Sequence, residues 1–277
     1  MEQKREAVSE SIGYLIIFGL VLTGIGLITL YGYPLLMQQQ SSANMRNMEQ
    51  TMIVLQNDIK SLTYKLANYK ETSLRVSGGT LSLFGPSYTL QRFDITSCDG
   101  NINHYLFSPG ELRYSSTSDN MVITMENGAV IEKPLAQNGS FMLADPRWYM
   151  DSSSTMNTLV INLLNVSTMV SSGQLLSETG VGTVRMRLSS SNMTSGTLQG
   201  CPPLGVPWVN ITYYPDPKNA TPEGYGLAWK TYLTNQNNFG GGMTCIGDPL
   251  KAQKLDCSMI GINNIIIKEY DIIVETL

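Results

Sequence analysis

The sequence predicts an α+β protein in which a long N-terminal hydrophobic α-helix precedes an antiparallel, β-rich, sandwich-like domain. Three observations predict this class. A stretch from Ser11 to Met45 contains no charged residue, a heptad pattern overlaps its end and continues past it, and short β-like runs separated by Gly, Pro, Ser and Asn fill the remainder. A change from helical to strand periodicity along one chain is typical of segregated helix and sheet.

The apolar stretch is long enough to cross a bilayer. Its 26 residues from Ile12 to Met37 are mostly Leu, Ile, Val, Phe, Tyr and Gly. As an α-helix they rise about 39 Å, against a hydrocarbon core of about 30 Å. A secretory signal peptide has a shorter apolar run followed by a small-residue cleavage site. Lys4 and Arg5 precede the run and no cation follows before Arg46, so we expect a single span with the N-terminus inside and the bulk outside.

A resemblance to a known family begins before this helix, at Lys4-Arg5-Glu6-Ala7-Val8-Ser9-Glu10-Ser11-Ile12-Gly13. The string is similar to the N-terminus of archaeal type IV pilins and pilin-like proteins, where a short basic leader precedes an A-V-S-x-x-I-G box and a hydrophobic helix. The resemblance implies that a membrane-embedded prepilin peptidase cuts between Arg5 and Glu6. Cutting between Glu6 and Ala7 is the alternative. With the first cut, Glu10 becomes the fifth mature residue and would pair with the new α-amino group of a neighbouring subunit, since a buried charge needs a partner.

The functional expectation that follows is a structural or adhesive surface protein. By resemblance, its partners are the membrane, prepilin peptidase and other pilin-like subunits in a homo- or hetero-oligomeric cell-surface filament. A second hypothesis is an uncleaved, single-pass anchored protein that presents its outer domain to a ligand. A third is an anchored extracellular hydrolase. An intact Met1 terminus and only small detergent-soluble species would favour the second hypothesis.

The segment after Pro34 predicts a second, amphipathic helix. Apolar side chains alternate there at spacings of three and four residues, which is the seam of a heptad repeat: Met45, Met48, Met52, Leu55, Ile59, Leu62, Leu66 and Tyr69. The seam packs either on the chain's own β-domain or on the same seam in neighbouring copies. Pro34 is expected to kink or interrupt the helix where it leaves the membrane.

The remaining residues predict strands and turns. Asn127-Gly128 between Met121–Met125 and Ala129–Ile131 is a strong hairpin signal. A second hairpin is expected around Gly78-Gly79. Further strands are expected in Thr158–Leu164, Gly182–Leu188 and Trp208–Tyr214, with a final pair in Asn263–Lys268 and Asp271–Glu275. One helix is expected at Gly226–Thr234, and loops at Gly200–Pro207 and Asn235–Gly242.

Composition excludes several classes of function. A formal charge of −4 and a pI near 5.1 give nucleic acid no basic surface. His104 is the single histidine, and the common zinc, calcium and nucleotide motifs are missing, so we expect no catalytic, cofactor or metal site. Two acids of a hydrolase leave no linear signature, and Asp94, Asp99, Glu111 and Asp145 receive no role. Trp148, Trp208 and Trp229 form either an aromatic surface or core, and core is the more frequent fate.

Two kinds of residue fit an outer location. The four cysteines, Cys98, Cys201, Cys245 and Cys257, permit two disulfides in three connectivities, of which Cys245–Cys257 closes the shortest loop. Five triplets match the N-glycosylation acceptor pattern, at Asn138, Asn165, Asn192, Asn210 and Asn219. The chain therefore divides into a leader (1–5), a hydrophobic helix (6–37), an amphipathic helix (38–71) and an extracellular β-rich domain (72–277).

Overall fold

The computed structural model describes residues 3–65, 67–89, 91–98, 102, 104–135, 139–153, 156–169, 176–199, 205–215, 224–248 and 254–277, with side chains from Ile12 onward. It has the expected α+β class: a long apolar helix followed by antiparallel-dominated sheets. The chain divides into two compact units, Met1–Arg46 and Asn47–Leu277.

The N-terminal helix is regular except at one turn. Helix α1 spans Gln3–Leu27, a π-helical turn spans Ile28–Gly32, and helix α2 spans Tyr33–Tyr64. Pro34 has no backbone N–H and its ring crowds the carbonyl of Leu30, four residues earlier. The wider π-helical turn lies at that place, so the α-helical hydrogen-bonding pattern is interrupted as the proline predicts.

The larger of two sheets has nine strands. Their order in the sheet is β7-β6-β5-β4-β1-β10-β14-β9-β8, and all pairs are antiparallel except β14 with β9. The strands are β1 (Tyr69–Phe84), β4 (Glu111–Ser116), β5 (Met121–Glu126), β6 (Ala129–Pro134), β7 (Phe141–Ala144), β8 (Tyr149–Ser152), β9 (Asn157–Thr168), β10 (Leu176–Thr197) and β14 (Asn264–Thr276).

The smaller sheet has five antiparallel strands in the order β12-β13-β11-β2-β3. They are β2 (Arg92–Ser97), β3 (Tyr105–Phe107), β11 (Trp208–Tyr214), β12 (Thr244–Ile246) and β13 (Leu255–Ile260), and helices α3 (Gly226–Thr234) and α4 (Gln236–Phe239) precede β12. A single buried cluster joins alternate residues of both sheets and α3. The two sheets therefore form a sandwich.

Two of the three tryptophans lie in an aromatic cluster at the centre of this core. The Trp229 ring lies 4.8 Å from Phe93 and 5.3 Å from Trp148 between ring centroids, and Trp229 and Trp148 are 0% and 3% exposed. Core packing is therefore the outcome for both. Trp208, on β11, is half-buried.

The second half of α2 covers the other face of the large sheet. Met48, Met52, Leu55, Ile59 and Leu62 are at most 1% exposed. The Gln56 side-chain amide donates to the carbonyl oxygens of Gly128 and Asp145 at 2.6 and 2.9 Å. The Tyr64 ring meets Tyr270 of β14 edge to face. Packing on the chain's own β-domain is thus the arrangement found, and it gives the large sheet a second buried face.

The helical end of the heptad pattern was predicted too far along the chain. Helix α2 ends at Tyr64, Leu66 lies outside the described residues, and Tyr69 already begins β1 and is 45% exposed. Lys70 and Thr72 of β1 bond to Asp58 of the helix. The chain therefore turns back early and lays β1 along the helix it has just left.

The hairpin expected at Gly78-Gly79 is wrong. β1 runs through both residues, with a register shift against β10 between Val76 and Leu81. Gly78 has a φ of 73°, and a Cβ on Gly79 would overlap the Ser115 carbonyl oxygen of β4. The two glycines therefore serve a bulge and a close strand approach, which are the other common uses of glycine in strands.

Most of the other expected elements are confirmed, although the strands expected at Thr158–Leu164 and Gly182–Leu188 are parts of the longer β9 and β10. Residues 200–204 of the loop expected at Gly200–Pro207 lie outside the described residues. The Asn127-Gly128 hairpin joins β5 to β6, with positive φ at both residues. β11 and α3 have their expected bounds. The final pair of strands is instead one strand, β14, and the loop expected at Asn235–Gly242 contains α4.

Candidate membrane and assembly interface

The N-terminal helix presents apolar side chains on every side. Between Ile12 and Met37, eighteen large apolar residues are at least 49% exposed in the isolated chain. The stretch Ile12–Tyr64 is the one described helix long and apolar enough to cross a membrane, with a mean hydropathy of 2.2 in its most apolar window. A helix that is apolar all round is stable inside a bilayer or among other apolar helices.

The two threonine hydroxyls inside this apolar helix are satisfied locally. Thr23 and Thr29 donate their hydroxyls to the carbonyls of Gly19 and Ile25, four residues earlier, at 2.7 and 2.9 Å. Unsatisfied polar groups are costly in hydrocarbon, so such internal bonds favour an apolar surrounding. These two hydroxyls are therefore compatible with burial of the helix in lipid or in a helical bundle.

The predicted processing residues lie at the start of this helix. Arg5, Glu6 and Glu10 fall within α1 by backbone, and their side chains precede the part of the chain for which side chains are described. The sequence string therefore remains the basis for the cleavage site and for the role of Glu10.

The disulfide expected between Cys245 and Cys257 is confirmed. The two residues lie opposite each other on β12 and β13 with Cα atoms 4.0 Å apart and Sγ atoms 1.99 Å apart. Cys98, at the end of β2, donates from Sγ to the Gln199 carbonyl at 3.3 Å, and Cys201 lies outside the described residues. A disulfide between neighbouring strands indicates an oxidising, extracytoplasmic compartment.

The three described acceptor asparagines differ in access. Asn165 is half-buried, its Nδ2 donates to Asp271 at 2.9 Å and its Oδ1 is buried. Asn210 Nδ2 is 3.4 Å from the Thr212 hydroxyl. Asn192 is exposed, and its Oδ1 accepts from the Met193 N–H at 2.9 Å. Asn138 and Asn219 lie outside the described residues.

Of the acidic residues and the histidine considered for hydrolysis, only Asp94 and His104 lie close together among the described residues. Asp94 Oδ2 is 3.0 Å from Nε2 of His104, whose side chain is 59% exposed. Asp145 lies beside α2, where burial raises its pKa and the nearby Lys60 lowers it. Glu111 is buried in the sandwich, and Asp99 lies outside the described residues.

A buried carboxyl pair inside the sandwich is the feature that sequence reasoning missed. Glu111 begins β4 and Glu126 ends β5, directly opposite each other, and both are 0% exposed. Arg113 donates to both oxygens of Glu111 at 2.6 Å. Glu126 accepts from the Tyr213 hydroxyl at 3.2 Å and from the Trp229 indole at 3.5 Å. One arginine thus faces two carboxyls that have no access to solvent.

The surroundings of Glu126 favour its neutral form. Its burial and then the neighbouring Glu111 charge raise its pKa well above the usual value. A neutral carboxyl accepts from Tyr213 and Trp229 without the desolvation cost of a buried ion. Both carboxyls thus lie in the interior of the sandwich, away from its solvent-exposed surface.

Because the pKa of Glu126 differs between the folded and unfolded chain, the stability of the fold depends on pH. In the unfolded chain Glu126 ionises above about pH 4.5, whereas the folded chain holds its proton to a higher pH. The stabilising contribution is therefore complete below pH 4.5 and falls by about 1.4 kcal/mol per pH unit until the folded pKa is passed. We expect Glu126→Gln, which cannot ionise, to gain stability over the native protein at that rate as pH rises from 5.

Urea unfolding of the full-length protein in non-ionic detergent, followed by tryptophan fluorescence at pH 5 to 8, measures this difference. Glu178→Gln, at a half-buried residue of β10, is the control and should show a much flatter difference. Parallel curves for Glu126→Gln and the native protein would contradict a neutral Glu126.

Fold and interface together define a class of protein: one apolar helix of membrane-spanning length joined to a disulfide-bonded β-sandwich. The chain belongs to a family of unknown function, DUF7289, which it matches over residues 6–199. No curated protein matches the chain significantly, and no solved structure does.

Proposed function

We propose that the chain is a type IV pilin-like surface protein of archaeal type. Prepilin peptidase removes residues 1–5, the apolar helix remains in the membrane or enters a filament core, and the β-sandwich stands outside the cell. The observation that carries the proposal is the helix with apolar side chains exposed on every side, whose first turns contain the string Arg5-Glu6-Ala7-Val8-Ser9-Glu10. Either lipid or a bundle of identical helices would remove this apolar surface from water.

Three further observations support this assignment. The match to the family begins at residue 6, which is the first residue of the proposed mature chain. The Cys245–Cys257 disulfide fits a domain outside the cytoplasm. Lys4 and Arg5 on one flank, with no cation before Arg46 on the other, favour an N-in, C-out orientation.

Glu10 has a specific role in this proposal. It lies two residues before the apolar stretch, where an unpaired carboxylate is unfavourable once the helix is packed among others. Cleavage after Arg5 creates a positively charged α-amino group on Glu6 of each subunit. Pairing of that group with Glu10 of a neighbour neutralises both charges inside the assembly.

The N-terminal peptide of the protein from its native envelope tests processing. We expect mass spectrometry to find a chain that begins at Glu6, and a chain that begins at Met1 when active prepilin peptidase is withheld. A native chain that retains Met1 in the presence of the peptidase would overturn the proposal in favour of an uncleaved anchor.

A matched pair of variants tests assembly. Glu10→Gln should be cleaved and inserted normally yet lose most of its filament-sized material in sedimentation. Glu2→Gln makes the same change in the segment that cleavage removes, so it should assemble like the native protein. Equal assembly of both variants would contradict the role of Glu10.

A further inference from the structure

Strand β10 has a stretch of sheet edge with an unusual degree of exposure. It pairs with β1 from residue 176 to 187 and with β14 from 185 to 197. Beyond Arg187 it therefore has a neighbour on one side only, among the described strands. Every residue of Ser189–Met193 is exposed. The Asn192 side chain takes the Met193 N–H of this stretch. A row of backbone N–H and C=O groups without a neighbouring strand is a template for pairing with another chain.

Another long edge of the large sheet is covered. β9 extends past its partner β8, which pairs only with residues 157–160. The N–H of Leu164 donates instead to the Asn127 side chain at 2.8 Å, and the Asn162 carbonyl accepts from the Trp148 indole at 2.7 Å. Side chains thus occupy backbone groups that an added strand would need.

The remaining free edges are protected by charge or by brevity. β1 carries Lys70, Glu71 and Arg75 ahead of the point where β4 begins to pair with it, at Gly79. The first half of β10 carries Glu178. The terminal strands of the two sheets have three or four residues each. Charges and short strands are common protections against edge pairing, but residues 188–199 contain neither a charge nor a proline.

The centre of this unprotected edge is Asn192, in the acceptor triplet Asn192-Met193-Thr194. Its Oδ1 accepts from the Met193 N–H at 2.9 Å. The other amide atom, Nδ2, is the one that glycosylation modifies. Glycosylation consumes one hydrogen of Nδ2 and keeps Oδ1 as an acceptor, so this hydrogen bond is compatible with the modification. Asn165 and Asn210 have their Nδ2 atoms engaged with Asp271 and Thr212.

We propose that Asn192 carries an N-linked oligosaccharide that shields the free edge of β10. The co-reactant is a lipid-phosphate-linked oligosaccharide. Asn192 Nδ2 bonds to the anomeric carbon of the sugar, the bond from that carbon to the lipid phosphate breaks, and the amide proton goes to a base of the transferase. The bulky, hydrated sugar then takes the place of the charges that protect the other edges. The proposal rests on the extracytoplasmic location of the domain under the proposed function.

Two substitutions at Thr194 separate modification from the side chain that receives it. Thr194→Ala destroys the acceptor triplet and keeps Asn192, whereas Thr194→Ser preserves the triplet. Glycopeptide mass spectrometry of full-length protein from the native host should find sugar on Asn192 in the native protein and in Thr194→Ser. In Thr194→Ala that peptide should be bare. Asn165 should be bare in all three.

The same preparations distinguish this proposal from the proposed function. Suppose that the native protein begins at Glu6, is digested by protease added outside intact cells, and carries no sugar on Asn192. That result overturns the glycan and leaves the pilin-like assignment intact. A native protein that begins at Met1 and carries sugar on Asn192 supports the glycan and overturns the pilin-like assignment.

Self-association in detergent tests the shielding role. Light scattering should show a severalfold rise in associated material for Thr194→Ala over Thr194→Ser. Adding Ser191→Lys to Thr194→Ala should return it to the native level, because a lysine on an edge opposes strand addition. Val181→Lys, at a 77% exposed residue of the same strand, is the control and should not rescue. No rise for Thr194→Ala, at unchanged tryptophan fluorescence, would overturn the shielding role.

Discussion

Replacing Leu55 by aspartate should unfold the β-domain, because the domain depends on the helix that precedes it. Leu55 is 0% exposed, in the α2 seam that covers the outer face of the large sheet. Removing a buried leucine side chain costs about 2–5 kcal/mol, and burying an unpaired carboxylate adds several more. A loss of that size is comparable to the whole stability of a typical domain, about 5–15 kcal/mol.

The adjacent residue provides the control for this experiment. Val54 is 48% exposed, and Val54→Asp introduces the same charge one position away. We expect a change within about 0.5 kcal/mol for that variant. Urea unfolding of the full-length protein in detergent, with tryptophan fluorescence reporting on the Trp148 and Trp229 core, measures both. If Leu55→Asp kept a folded domain and lost only self-association, the seam would belong to a coiled coil between copies.

The elements that the sequence predicted well are those whose local signals agree with their tertiary setting. Asn127 and Gly128 both adopt positive φ, which few other residues tolerate, so their hairpin is specified by its own two residues. The long apolar helix likewise needs no tertiary information, because its composition alone excludes water as a surrounding. The heptad seam is an intermediate case: the sequence predicted which face of the helix is buried, but it did not predict what that face packs against.

The errors arise where one residue type serves several structural roles. Gly78-Gly79 was taken for a turn, but a glycine pair equally suits a bulge and a close approach to β4. Glu269 and Tyr270 were taken for a break before the last strand, but Tyr270 packs on Tyr64 and Glu269 bonds the Tyr105 hydroxyl. Such contacts join residues far apart in the chain, and the amino-acid sequence alone gives no sign of them.

The buried pair of carboxyls shows the same limit most clearly. Glu126 precedes the Asn127-Gly128 turn, a position at which a glutamate ordinarily faces solvent. Only the packing of the smaller sheet and α3 over this end of the hairpin buries it, and Arg113 then becomes the cation on which Glu111 depends. The strand itself carried no such cue: Met121, Ile123 and Met125 form one apolar face, whereas Glu126 shares the other with Val122 and Thr124, an alternation typical of a strand with one face toward solvent.

Arg113 should accordingly be among the most sensitive positions of the domain. Arg113→Met keeps much of the side-chain volume and removes the charge, leaving Glu111 buried, 0% exposed and without the two bonds that Arg113 donates at 2.6 Å. Breaking a buried ion pair by removing one partner costs about 3–5 kcal/mol, because the remaining charge is uncompensated. Glu126 cannot compensate, since it offers a second carboxyl in place of a cation.

The double variant Glu111→Gln with Arg113→Met separates the lost charge from lost packing. Because neither partner is then charged, we expect most of the stability to return. Arg187→Met breaks an ion pair with Glu275 whose side chains are 36% and 30% exposed, and should cost at most about 1 kcal/mol. Urea unfolding midpoints of the four proteins measure the comparison. A double variant as unstable as Arg113→Met alone would mean that Arg113 acts through its contact with the Phe84 ring and not through the charge of Glu111.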